Sequence, residues 1–189
     1  MHPRRRFFGA LIGLAVMGVS ARHADATVLF DRTLDELARE ADAVVVATPL
    51  DARTSRWQGG RIVTDVTVRV DAVLTGRVTA SSDLVVRIPG GVVGDVGQSL
   101  SGAPTLTAGV PSVLFLTAPR SGARAVLSLS AGVLPVSALP SGAVVVLPAR
   151  TEGLTLLPPS GPVVAARVVV PPAGLPLQTF AALLRGVVR

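Results

Sequence analysis

Gly97-Gln98-Ser99-Leu100-Ser101-Gly102 is the stretch of this chain nearest to a catalytic motif. It approaches the G-x-S-x-G elbow that lifts a nucleophilic serine out of a strand-to-helix turn, but its last glycine is displaced by one position. A serine alcohol also needs a base beside it to take its proton. The only histidines are His2 and His23, and there is no lysine, cysteine, tyrosine or asparagine. Both histidines fall in a segment that reads as a cleaved leader, so Ser99 is left without a base. Phosphate chemistry fails in a similar way. The G-x-x-x-x-G-K-S/T loop needs a lysine, and G-x-G-x-x-G needs glycines two apart, a spacing that none of the 19 glycines has.

Carboxylates are the remaining acid–base groups, and two of them suffice for glycoside or peptide hydrolysis. The candidates are Asp51, Asp65, Asp71, Asp83, Asp95 and Glu152. None stands in the D-T-G or D-S-G context of an aspartic protease. Asp65 and Asp71 read as partners of Arg61 and Arg69 on a wet strand face, Asp83 opens a strand, and Asp95 supports a turn. Zinc and copper would lack their preferred Cys and His ligands. Calcium loops want several acids at spacing two, whereas Asp95 stands alone among glycines. The sequence therefore calls for no catalytic residue, no metal and no cofactor, and the reading is a non-enzymatic protein. The alternatives are a carboxylate-dependent hydrolase and a protein-partner or inhibitor-like module that uses the Trp57 region and the 88–104 loop.

The chain opens with Arg4, Arg5 and Arg6, an apolar run from Phe7 to Val19, and the small-residue site Ala24-Asp25-Ala26. That order is the layout of a cleavable export signal. Its 13-residue apolar run is too short to cross a bilayer as a helix, which takes about 20 residues. Arg-Arg-Arg-Phe-Phe also fits a twin-arginine signal, so the export route stays open. Cleavage after Ala26 would leave residues 27–189 as a single β-rich domain in the periplasm or outside the cell, with 119–189 as a candidate looser second layer. The processed chain would carry 14 arginines against 11 acids, or +3. These charges are interleaved and few aromatics accompany them, so neither nucleic-acid binding nor a further membrane span is expected. The partner is then an unidentified protein or a small ligand.

The elements follow from periodicity. Asp31 to Asp42 reads as a short helix, with Thr33 and Glu36 at capping-box spacing, Leu34, Leu37, Ala38 and Ala41 on one face, and Asp35, Glu36 and Glu40 mostly toward solvent. Ala43 to Leu50 reads as a strand. In Arg61 to Gly76 the alternation puts Ile62, Thr64, Val66, Val68 and Val70 on a core face. Asp83–Pro89, Val113–Leu116, Arg124–Ser130, Val133–Val136, Ala143–Leu147, Leu154–Leu157 and Val163–Val170 are further strand candidates. Gly90, Gly91, Gly94 and Gly97 read as backbone permission for a hairpin-like or bulged connection. At the C-terminus, Leu177, Phe180, Ala181 and Leu184 stripe a helix that docks on the sheet. The fold class is mainly β: a partly open, OB-like barrel or a sandwich, with a short N-terminal helix and a C-terminal helix. Trp57, Gly90, Gly91 and Asp95 form a candidate partner surface.

The succession LDELAREAD, AVVVATPL, Trp57, IVTDVTVRVDAVLTG, Gly90-Gly91, SGAPTLTAGVPSVLFL and LPLQTFAALLRGVV resembles a group of exported bacterial β-rich proteins with no assigned activity. The likeness covers most of Asp31 to Leu116 and the C-terminal helix. The strand pattern around VTVRVDAVLTG is also similar to the five-stranded barrels of netrin-like and tissue-metalloprotease-inhibitor domains. Those domains rely on disulfides and an N-terminal cysteine, which this chain lacks. The resemblance implies a barrel and carries over no inhibitory function.

Overall fold

The computed structural model describes residues 27–30, 32–152, 154–157 and 168–188. The leader, with Ala24 and Ala26, lies outside the described residues, as does most of the expected Val163–Val170 strand, whose described end is not strand.

Strand β1 (Thr27–Phe30) precedes helix α1 (Leu34–Glu40). The capping box forms as its spacing predicts: Glu36 N donates to Thr33 Oγ1 at 3.2 Å, and Thr33 N donates to the Glu36 carboxylate at 2.8 Å. One acid departs from its expected solvent position. Asp35 is only 5% exposed, and its carboxylate accepts the backbone N–H of Val168 at 2.9 Å. A buried carboxylate persists when such a donor replaces water, and this one ties α1 to a segment 133 residues away.

Strands β2 (Ala43–Gln58) and β3 (Arg61–Gly76) form a hairpin of two 16-residue arms. Gly59 and Gly60 turn it with φ of +57° and +76°, the double positive pair that a tight two-residue turn demands. The second half of β2 runs past the expected end at Leu50, because pairing with β3 continues from Arg53 to Gln58. Its register shifts at Val44/Val45, Val46/Ala47 and Pro49/Arg53 are bulges, which bend a strand and let the hairpin curl. On β3, Ile62, Thr64, Val66, Val68 and Val70 are all buried, as the alternation predicts.

β4 (Asp83–Pro89) pairs with β3. The glycine segment folds into its own hairpin of β5 (Gly91–Val93) and β6 (Val96–Gln98). β7 (Ser112–Leu116), buried throughout, pairs with β2, and β8 (Arg124–Ala125) runs parallel to β4. Then come β9 (Val133–Ala138), β10 (Val144–Val146), β11 (Leu154–Leu157), β12 (Leu175–Pro176) and α2 (Leu177–Val188). The main sheet has the order β12-β10-β9-β7-β2-β3-β4-β8, while β1 and β11 make a separate parallel pair. The sheet is not closed strand to strand. However, the Leu116–Val126 bridge, with Thr117 N bonded to Ala125 O and Leu127 N to Phe115 O, brings β8 back beside β7. Strands β7, β2, β3, β4 and β8 thus curl round in the manner of a partly open barrel.

Each face of the sheet buries its own core. Ala43, Val45 and Ala47 of β2 point into the barrel with Val66, Val68, Val70, Val86, Leu114 and Leu116. Val44 and Val46 point the other way, to a layer where Phe115, Leu134 and Val146 meet Leu37 of α1 and Phe180, Leu184 and Val187 of α2. No helix among the described residues is long and apolar enough to cross a membrane.

Candidate binding pocket

The approach to β9 is strained. Ser128 and Leu129 both have φ of +53°, the left-handed region that non-glycine residues avoid. Such residues persist where the surrounding structure over-determines them, often at functional positions. The tight turn Leu129–Gly132 follows, and only glycine fits at its end: a Cβ on Gly132 would lie 2.0 Å from the Leu127 carbonyl oxygen. Between them stands Ser130. Its N–H donates to Gly102 O at 3.0 Å, which fixes the turn against the 100–111 loop, while its Oγ is buried with no hydrogen-bond partner among the described residues.

Ser130 is part of the wall of a pocket of about 380 Å³. Thr105, Thr107 and Ser112 add three more hydroxyl side chains to the lining. Thr105 and Thr107 come from the loop before β7, and Ser112, 7% exposed, begins β7. Ala103, Val110, Val133 and Pro135 supply apolar wall, and Arg150 and Glu152 bring one charge of each sign. Six of the ten lining residues are thus polar, a wetter wall than the mostly apolar one usual for a small-molecule site, while the volume lies in the usual range.

None of the four residues of the expected partner surface lines this pocket. Trp57, 52% exposed, stands near the β2–β3 tip, and Asp95 is exposed at the β5–β6 turn. Gly90 is buried and Gly91 half-buried, so these two contribute close packing in place of surface. At Gly91, φ is +138° and a Cβ would meet Thr64 Oγ1 at 2.3 Å and Ser55 Oγ at 2.6 Å. The polar atoms beneath the β5–β6 hairpin hold it down. Thr64 Oγ1 donates to Gly90 O at 2.7 Å and lies 2.8 Å from Ser55 Oγ, and Ile62 N donates to Gln98 Oε1 at 2.6 Å.

Three of the carboxylates, Asp65, Asp71 and Asp83, are engaged by neighbouring side chains. Asp65 does not pair with Arg61; it takes two hydrogen bonds from Arg87, at 2.7 and 3.0 Å, and another from Arg56. Asp71 accepts from Thr48 Oγ1 at 2.6 Å, and Arg69 reaches Asp83 at 4.0 Å. The expected along-strand pairs do not form because residues four apart on one strand, as Arg61 and Asp65 are, lie about 13 Å apart and residues two apart, as Arg69 and Asp71 are, about 6.6 Å, whereas cross-strand neighbours sit near 5 Å. Hydrogen bonding from Arg87 holds the Asp65 carboxyl below its ordinary range, helped by Arg56 and opposed by partial burial. Of the six carboxylates singled out from sequence, Glu152 alone lines the pocket. Among the described residues no group of three or more His, Cys, Asp or Glu side chains could hold a metal ion.

The orphaned hydroxyl gives a measurable sign. Ser130→Ala is expected to raise the unfolding free energy by about 1 kcal/mol, because a buried hydroxyl without a partner forfeits its bonds to water. Urea denaturation of parent and variant reads this directly. A loss of stability would show that Oγ has a structural partner in solution.

No protein-family model, no curated protein and no solved structure matches this chain.

Proposed function

We propose that the protein is an exported, non-catalytic binding domain that takes a small polar ligand in the pocket between the 103–110 loop, β9 and Arg150–Glu152. The observation that carries this reading is the pocket wall itself: the hydroxyl residues Thr105, Thr107 and Ser112 and two opposite charges beside four apolar residues, with the strained turn that carries Ser130 behind them. Strain retained against folding stability is accounted for where it serves a site. A single carboxylate in the wall favours binding over two-carboxylate hydrolysis, which needs a pair roughly 5–9.5 Å apart. The export half of the reading rests on the Arg4–Ala26 leader, and mass spectrometry of the secreted or periplasmic form should find Thr27 as its first residue.

The pocket half is tested by thermal shift against amino acids, carboxylates, amines and polyols. A ligand at 100 times its Kd stabilises by about 2.7 kcal/mol, so at least one class should raise Tm saturably. Thr105→Trp, an exposed substitution that fills the pocket, should abolish the shift. Parent and Thr105→Trp behaving alike across every class would overturn the reading.

A second reading, a protein-partner module, is favoured by the exposure of Trp57 together with Val92 and Val96 of the β5–β6 hairpin. Exposed apolar side chains of this kind mark interaction surfaces when they are contiguous. It predicts a partner whose binding is lost in Trp57→Ala and kept in Thr105→Trp.

A further inference from the structure

Arg150 and Glu152 line one pocket wall, and neither makes an ion pair with a described residue. Two residues of chain span at most about 7 Å, so a positive and a negative group are held within reach of one small molecule. We infer that the ligand is a small zwitterion of the free amino acid or dipeptide class, its carboxylate received by Arg150 and its ammonium by Glu152. This rests on the pocket being the binding site.

The chemistry of the wall favours this class over its neighbours. A dianion would face Glu152, and a diamine would face Arg150. A neutral polyol would pair neither charge. A zwitterion answers each charge with its opposite, and guanidinium to carboxylate is the planar, two-pronged match that arginine makes best. The hydroxyls of Thr105, Thr107 and Ser112 both donate and accept, so they serve either end of the ligand or a peptide group between the ends. The apolar residues leave room for a small aliphatic side chain. No aromatic residue among the described ones lines the wall, so the stacking platform that sugar rings and bases use is not among them.

The test is isothermal titration calorimetry of the intact processed chain with four probes: L-alanine, L-alanyl-L-alanine, N-acetyl-L-alanine and L-alaninamide. The last two keep one charge each. A zwitterionic probe should bind with Kd at or below about 1 mM. Both capped probes should be weaker by about tenfold or more. Arg150→Gln and Glu152→Gln, both at exposed positions, should each weaken the zwitterion by a similar factor without lowering Tm. If a capped probe binds as tightly as its zwitterion and Thr105→Trp abolishes that binding, the zwitterion is overturned and the pocket stands. If none of the four probes binds, the inference is overturned, and the broader thermal-shift panel decides the pocket separately.

Discussion

Phe180→Ala is expected to lower the unfolding free energy by about 3–5 kcal/mol, the range for emptying a fully buried aromatic site. The side chain has no solvent exposure and sits where α2 meets α1 and the sheet, in one cluster with Leu37, Phe115 and Leu184. The 12-residue helix α2 has little stability of its own, since helices of that length are marginal in water without packing. Removing the ring therefore withdraws the interaction that keeps α2 helical as well as opening a cavity. Denaturant midpoints give the magnitude, and far-UV circular dichroism reports whether the helix is lost before global unfolding. Phe180→Leu, which keeps most of the volume, should recover more than half of the loss. A loss below about 1 kcal/mol for Phe180→Ala would mean that α2 does not dock as described.

Asp65→Ala is the second large effect, about 2–3 kcal/mol destabilising. Removing one partner of a fully buried ion pair costs about 3–5 kcal/mol because the other charge is left without compensation. Here Arg87 is mostly covered while Arg56 reaches solvent, so the cost is scaled down for screening. The same cluster gives a pH signature. The folded-state pKa of Asp65 lies below its ordinary value of 3.8. The ionised carboxylate thus contributes stability that is fully present above that value and lost as pH falls through the lowered folded pKa. The parent should show an extra loss of urea resistance below about pH 4 that is missing in Asp65→Asn. Equal acid profiles for the two proteins would remove Asp65 as a source of acid sensitivity.

Legibility in the sequence tracked how local each cause was. The alternation of β3, the Thr33–Glu36 box and the α2 stripe are decided within a few residues, and each stands in the structure as its spacing predicts. The glycine segment also behaves as bends between strands, closing into the β5–β6 hairpin. The far half of β2 was not legible, because Asp51 to Gln58 is mostly exposed and its strand state comes from pairing with β3. Nor was the burial of Asp35, whose reason is a donor at Val168. The sequence offers Asp65 partners along its own strand, whereas the sheet supplies them from β2 and β4. The pocket was the least visible feature. Thr105, Ser112, Ser130 and Arg150 come from separate segments that meet because β9 lies beside β7. Ser128 and Leu129 take positive φ there, and no residue type announces it.

Because successive residues of β2 are shared between the barrel interior and the helix-covered layer, the two cores have a common wall one strand thick. Neither can melt while the other keeps its lining. Amide hydrogens of Ala43 to Ala47 should then exchange only when the whole molecule opens, and heat should produce one cooperative transition in place of two separate ones. A protein with no disulfide to fall back on gains its resistance to partial opening, and to the proteases that exploit it, from this double use of a single strand.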